Sequence, residues 1–60
     1  MEKEKFLKVY ANLSLNLRQE VVLVLGEKGP ITWNVAYLEI VKETELGKEI
    51  FKKLEELEII

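Results

Sequence analysis

The chain has no cysteine and no histidine among its 60 residues. That absence constrains its folding more than any motif does. A domain of this length buries only about 60% of the surface its unfolded chain exposes. Domains so small usually rely on disulfides, a structural metal, a partner or very regular packing. Without thiols or imidazoles, disulfides and the common zinc sites are excluded. What remains is tight apolar packing or self-association, and no cofactor or metal is expected.

The chain has apolar residues enough for a core. Apolar residues make up 48% and charged residues 33%, with a net charge of −2. This is a globular composition, and residues 1–60 are expected to form a single small α+β domain. The slightly acidic balance lacks the basic excess of a phosphate-binding surface, which argues against nucleic acid as a partner. No apolar run approaches 18 residues, so no membrane span is expected. The opening Met1-Glu2-Lys3-Glu4-Lys5 is not the basic-then-apolar start of a secretory signal, and a cytoplasmic location is the default. All acids are Glu, and all bases but Arg18 are Lys. This usage resembles that of thermophile proteins.

Periodicity then sets the elements. Phe6, Tyr10, Leu13 and Leu17 recur every three to four positions, which predicts a short helix over about 2–12. "LSLNLRQ" (13–19) alternates instead and reads as an irregular connector or a short edge strand. "EVVLVL" (20–25) is a strand with little exposure on either face. "GEKGP" (26–30) is turn material. "ITWNVAYLEIV" (31–41) is rich in β-branched and aromatic residues and reads as the second strand of an antiparallel hairpin. Its Trp33, Ala36, Tyr37, Ile40 and Val41 also fit helical spacing, with Thr32 as a cap for a helix over 32–42.

The clearest element is "TELGKEIFKKLEELEII". Thr44 is a candidate cap, and Leu46, Ile50, Leu54 and Leu57 form an apolar stripe widened by Phe51 and Ile60. Gly47 sits in the first turn of this helix, where it costs about 1 kcal/mol relative to Ala. Its presence predicts close approach by another backbone, expected from the sheet. The order is therefore α-β-β-α, a hairpin packed on two helices.

A five-residue loop would pair Leu25 with Ile31, Leu23 with Trp33 and Val21 with Val35. One sheet face then carries Val21, Leu23, Leu25, Ile31, Trp33, Val35 and Tyr37. The other carries Val22, Val24, Thr32, Asn34, Ala36, Leu38 and Ile40, mixed yet too apolar for open water. Two strands alone make a marginal sheet, and edges and faces left open attract another strand or chain. The cheapest cover is a second copy of the chain, a homodimer using Val22, Val24, Asn34, Ala36, Leu38 and Ile40. The apolar residues Leu57–Ile60 are expected to join that contact.

Little in the sequence supports catalysis. One serine and two threonines have no evident base partner, and neither GxxxxGK[ST] nor GxGxxG occurs. No enzymatic activity is expected of a chain limited to Glu, Lys and Tyr. Glu39 is the charge most exposed to a functional reading, as a general acid; the structural reading places it at a strand end or paired with Arg18. Arg18 is read as a tie from the connector to Glu39 or to a helix end. Trp33, Tyr37 and Tyr10 are core anchors before they are a nucleobase platform. Lys48, Lys52 and Lys53 lie among glutamates, as on a solvated helix face. Asn34 either fixes register across a two-fold contact or faces solvent.

Three functional classes follow. The first is a non-enzymatic interaction module acting as a homodimer. The second is a nucleic-acid-linked regulator, antitoxin-like or transcription-associated. The third is an accessory subunit whose hairpin edge extends a larger protein's sheet.

Overall fold

A computed structural model describes all 60 residues. Helix α1 (Lys3–Ala11) leads through a short 3-10 turn (Leu17–Gln19) into β1 (Val21–Leu25). A second 3-10 turn (Gly26–Lys28) returns the chain as β2 (Gly29–Thr32). Helices α2 (Trp33–Val41) and α3 (Glu45–Glu56) follow directly. The fold is a small α+β domain with an antiparallel two-stranded hairpin, as expected, but it carries three helices rather than two.

The third helix replaces most of the expected second strand. The hairpin loop is three residues long, not five, so Gly29 and Pro30 belong to β2. Gly29 makes the turn possible, because its φ of 75° and ψ of −158° are open to glycine alone. The pairs are Leu25 with Gly29, Val24 with Pro30, Leu23 with Ile31 and Val21 with Thr32. An irregularity at Val22 leaves that residue unpaired. The expected pairs Leu23–Trp33 and Val21–Val35 do not exist. At Thr32 the backbone is still extended, and its Oγ1 accepts a hydrogen bond from the Val35 N–H at 3.1 Å. That bond satisfies one of the orphan donors of a starting helix. Trp33 N–H reaches back to the Glu20 carbonyl, which ends the hairpin.

The core gathers residues from every element. Phe6 comes from α1, and Leu23, Leu25 and Ile31 from the inner face of the hairpin. Ala36 and Ile40 come from α2, and Ile50, Phe51 and Leu54 from α3. The expected alternation of Leu23, Leu25 and Ile31 toward the core holds. Val21 escapes it, because the irregularity at Val22 breaks the parity and leaves Val21 exposed. Ile59 and Ile60 fold back onto the same core, so only Leu57 of the final apolar residues projects outward.

Helices α2 and α3 meet at Gly47. A Cβ on this residue would lie 2.1 Å from the Glu39 carbonyl oxygen. The close approach expected of Gly47 is therefore made by α2, not by the sheet. Thr44 secures the same corner. Its Oγ1 accepts from the Gly47 N–H at 2.9 Å as the α3 cap, while its hydroxyl donates to the Glu39 carboxylate at 2.5 Å.

Candidate functional site

Polar side chains with chemical potential are held by local structure. Ser14 Oγ accepts from the Leu17 N–H at 3.3 Å at the start of the 3-10 turn. Thr32 and Thr44 cap α2 and α3. Glu39 lies on α2 rather than at a strand end, and its carboxylate takes the Thr44 hydroxyl, not Arg18. Arg18 instead donates through Nε to the Tyr10 carbonyl at 3.3 Å, and its guanidinium carbon lies 4.3 Å from the Tyr10 ring centre. It ties the connector to the end of α1, one of the two structural roles expected of it. No group of three or more carboxylates lies close enough together to hold a metal ion.

The aromatic residues form a seam between α1 and α2. Tyr10 stacks on Tyr37 at 4.5 Å between ring centres, and Phe6 lies 5.8 Å from Tyr10 and 5.9 Å from Trp33. The rings contact one another and Arg18, as anchors between the two helices. Tyr10 Oη donates to Asn34 Oδ1 at 2.8 Å. Asn34 thus latches α2 to α1, a role its sequence context did not indicate.

One cleft of about 490 Å³ opens between the hairpin tip and α3, lined among others by Val24, Glu27, Glu49, Lys52, Lys53 and Glu56. Its size falls within the range of small-molecule sites, but such sites are mostly apolar and enclosed. This one is broad, open and rimmed by charges of both signs. Glu49 is already paired with Lys28 at 2.5 Å. The cleft is a solvated groove between charged side chains.

The six residues expected to form the homodimer contact are dispersed. Ala36 and Ile40 have no exposed surface and belong to the chain's own core. They were assigned by the two-residue period of a strand, whereas α2 places them on its inner face by the 3.6-residue period of a helix. Val22 is half-buried against the core. Val24 is 64% exposed on the outer side of the hairpin and borders the charged cleft. Asn34 and Leu38 lie on the outer face of α2.

That outer face has a composition found on no other helix of the chain. Val35, Leu38 and Val41 are all exposed and follow one another at three-residue steps, within an arc of about 120°. The only charged residue within α2 is Glu39, and its carboxylate is turned to Thr44. By contrast, α1 and α3 expose Lys and Glu throughout, with ion pairs such as Lys5–Glu55 at 3.0 Å. Val35 and Val41 escaped the sequence reading because strand parity placed them elsewhere. The signal was their helical spacing from Leu38.

Compared with known protein families, with curated proteins and with solved structures, the chain finds no match. No helix is long and apolar enough to cross a membrane.

Proposed function

We propose that the protein is a non-enzymatic interaction module that acts as a homodimer. One observation carries this reading: the uncharged, apolar outer face of α2 in a chain that is one-third charged. An apolar helix face of this kind is stable in water only at a cost in exposed area. Full burial of an exposed Val or Leu is worth about 1.5–3 kcal/mol; Val35, Leu38 and Val41 are 38%, 52% and 41% exposed, so covering them recovers roughly half of that each. Catalysis has little support in the same surface, because the hydroxyls are committed to caps and turns and the cleft is open and charged.

Edge-to-edge sheet pairing, the other route to a dimer, is poorly served. Both strands are short, β2 contains Pro30, and β1 is irregular at Val22. Each of these features blunts an edge against strand addition. The test is the solution mass at micromolar concentration by size exclusion with light scattering. A mass twice the 7.0 kDa of one chain is expected; a stable 7.0 kDa species removes the reading.

A further inference from the structure

We infer that Arg18 anchors a site for a single oxyanion, a carboxylate or a phosphate ester, at the corner where α1, the connector and α2 meet. Such a site is independent of whether the chain is a dimer.

Arg18 is fixed in place, yet its binding edge is unused. Its Nε donates to the Tyr10 carbonyl at 3.3 Å, and its guanidinium carbon lies 4.3 Å from the Tyr10 ring centre. Tyr10 is itself held, by Tyr37 stacked at 4.5 Å and by the 2.8 Å bond from its hydroxyl to Asn34. The tie to Tyr10 uses the single N–H of Nε. The two terminal nitrogens keep the planar fork that matches two oxygens of a carboxylate or phosphate. Lys3, Lys5, Lys28 and Lys48 are each paired with a glutamate, whereas Arg18 has no carboxylate partner. A free arginine loses side-chain freedom when it grips an anion; here the fold has already removed part of it.

The surroundings carry the sign an anion needs. Between Glu4 and Glu20 the chain has Lys5, Lys8 and Arg18 and no acid. Between Lys28 and Glu39 it has no charge at all. These two stretches hold most of α1, the connector and the first half of α2, and the 3-10 turn bearing Arg18 packs on α2. Glu20, the acid at the margin, makes no ion pair with Arg18. All three asparagines, the only glutamine and the only serine fall in the same two stretches. Asn34 is placed to contribute. Its Oδ1 accepts from the Tyr10 hydroxyl, so its Nδ2 donors remain free beside the ring on which Arg18 lies. A charged fork and a neutral amide thus border one tyrosine. On α3, by contrast, Lys48, Lys52 and Lys53 all have glutamates within one turn, and an anion there meets repulsion beside each cation.

Arg18 is the only arginine, so its Nε–H gives a single side-chain resonance in a proton–nitrogen correlation spectrum. The full chain is titrated with inorganic phosphate, with acetate, and with chloride at matched ionic strength. The Asn34 amide pair is identified by its loss in Asn34→Ala. A saturable shift of both signals is expected, with a midpoint on the order of 1–10 mM for a lone, partly exposed fork. Chloride, which cannot offer two oxygens to the fork, is expected to move neither. Saturation by both oxyanions assigns the site to carboxylates and phosphates alike; saturation by one alone assigns it to that source. Lys8→Gln removes a neighbouring charge but no fork, and is expected to keep the midpoint within about twofold. Arg18→Lys keeps the charge and removes the fork, and is expected to raise the midpoint, read at Asn34, roughly tenfold or more. A shift that never saturates, an equal response to chloride, or an unchanged midpoint in Arg18→Lys overturns the site. Should Arg18→Lys fail to fold, the chloride comparison on the wild-type chain decides alone.

Discussion

Glu43 and Glu58 both adopt positive φ, 53° and 58°, where glycine is the usual residue. Each ends a helix in the same way. The Glu43 N–H bonds to Ile40 O and the Thr44 N–H to Glu39 O, at 3.1 and 3.2 Å. The Glu58 N–H bonds to Glu55 O and the Ile59 N–H to Leu54 O, at 3.0 and 2.9 Å. This is the paired hydrogen-bond pattern of a Schellman C-cap, with a glutamate at its left-handed position. An L-residue there costs about 1–2 kcal/mol. Glu58 makes no ion pair to offset this, so Glu58→Gly is expected to raise stability by about 1 kcal/mol, read as a higher urea midpoint at unchanged slope. Glu43 differs because its hydrogen bond to Lys3, then the Lys3 charge, holds its pKa below the ordinary 4.5. A carboxyl with a lowered folded pKa stabilises the fold above its unfolded value, and the benefit is lost as pH falls through the folded value. The stability difference between wild type and Glu43→Gln is therefore expected above pH 4.5 and to shrink below it. Melting both proteins across pH 2.5–7 checks this, and a constant difference contradicts it.

At the scale of elements, α2 is where local propensity misleads. Five β-branched residues and two aromatics within 31–41 favour a strand, and the pattern of Trp33, Ala36, Tyr37 and Ile40 favours a helix. The arbiter was available in the chain. A five-residue β1 cannot pair an eleven-residue partner, and a strand running past Thr32 would leave its backbone groups unsatisfied. A helix satisfies them internally, and Thr32 is placed to start one. Helices α1 and α3, β1 and the Thr44 cap were legible because periodicity, turn chemistry and propensity agreed there. Of the outer-face residues of α2, strand parity grouped Leu38 with Asn34 but set Val35 and Val41 on the opposite face, whereas helical spacing puts Val35 and Val41 beside Leu38. Gly47 was legible as a point of close approach, though not its neighbour. With the Glu39 carbonyl carbon and oxygen 2.5 and 2.1 Å from a built Cβ, Gly47→Ala must push two backbones apart. It is expected to destabilise the protein by about 1–3 kcal/mol or more, despite the roughly 1 kcal/mol that alanine gains in a free helix. Lys48→Ala, one residue on and exposed, is expected to stay within about 0.5 kcal/mol of wild type. Equal urea midpoints for the two variants would contradict the α2–α3 contact.

For the whole molecule, the question is how sixty residues without disulfide or metal hold together. Ten residues are buried, and nine of them form one apolar cluster fed by all three helices and the hairpin. Against this stand nine exposed large apolar residues, from Met1, Leu15 and Leu17 through Val21 and Val24 to Val35, Leu38, Val41 and Leu57, of which the three on α2 are the area a second copy would cover. If folding and pairing are linked, stability depends on protein concentration. A hundredfold rise in concentration then adds about 2.7 kcal/mol per mole of dimer. Spread over the unfolding entropy of two 60-residue chains, this raises the melting midpoint on the order of 10 °C. The Leu38→Lys variant, with a charge on the outer face of α2, is expected to melt lower than wild type where pairing contributes and to show a smaller rise with concentration. The comparison separates two origins of stability that a single melting curve confounds. A wild-type midpoint that does not move over two decades of concentration means that the core of one copy suffices, and that the apolar face of α2 is tolerated in water rather than covered by a second copy.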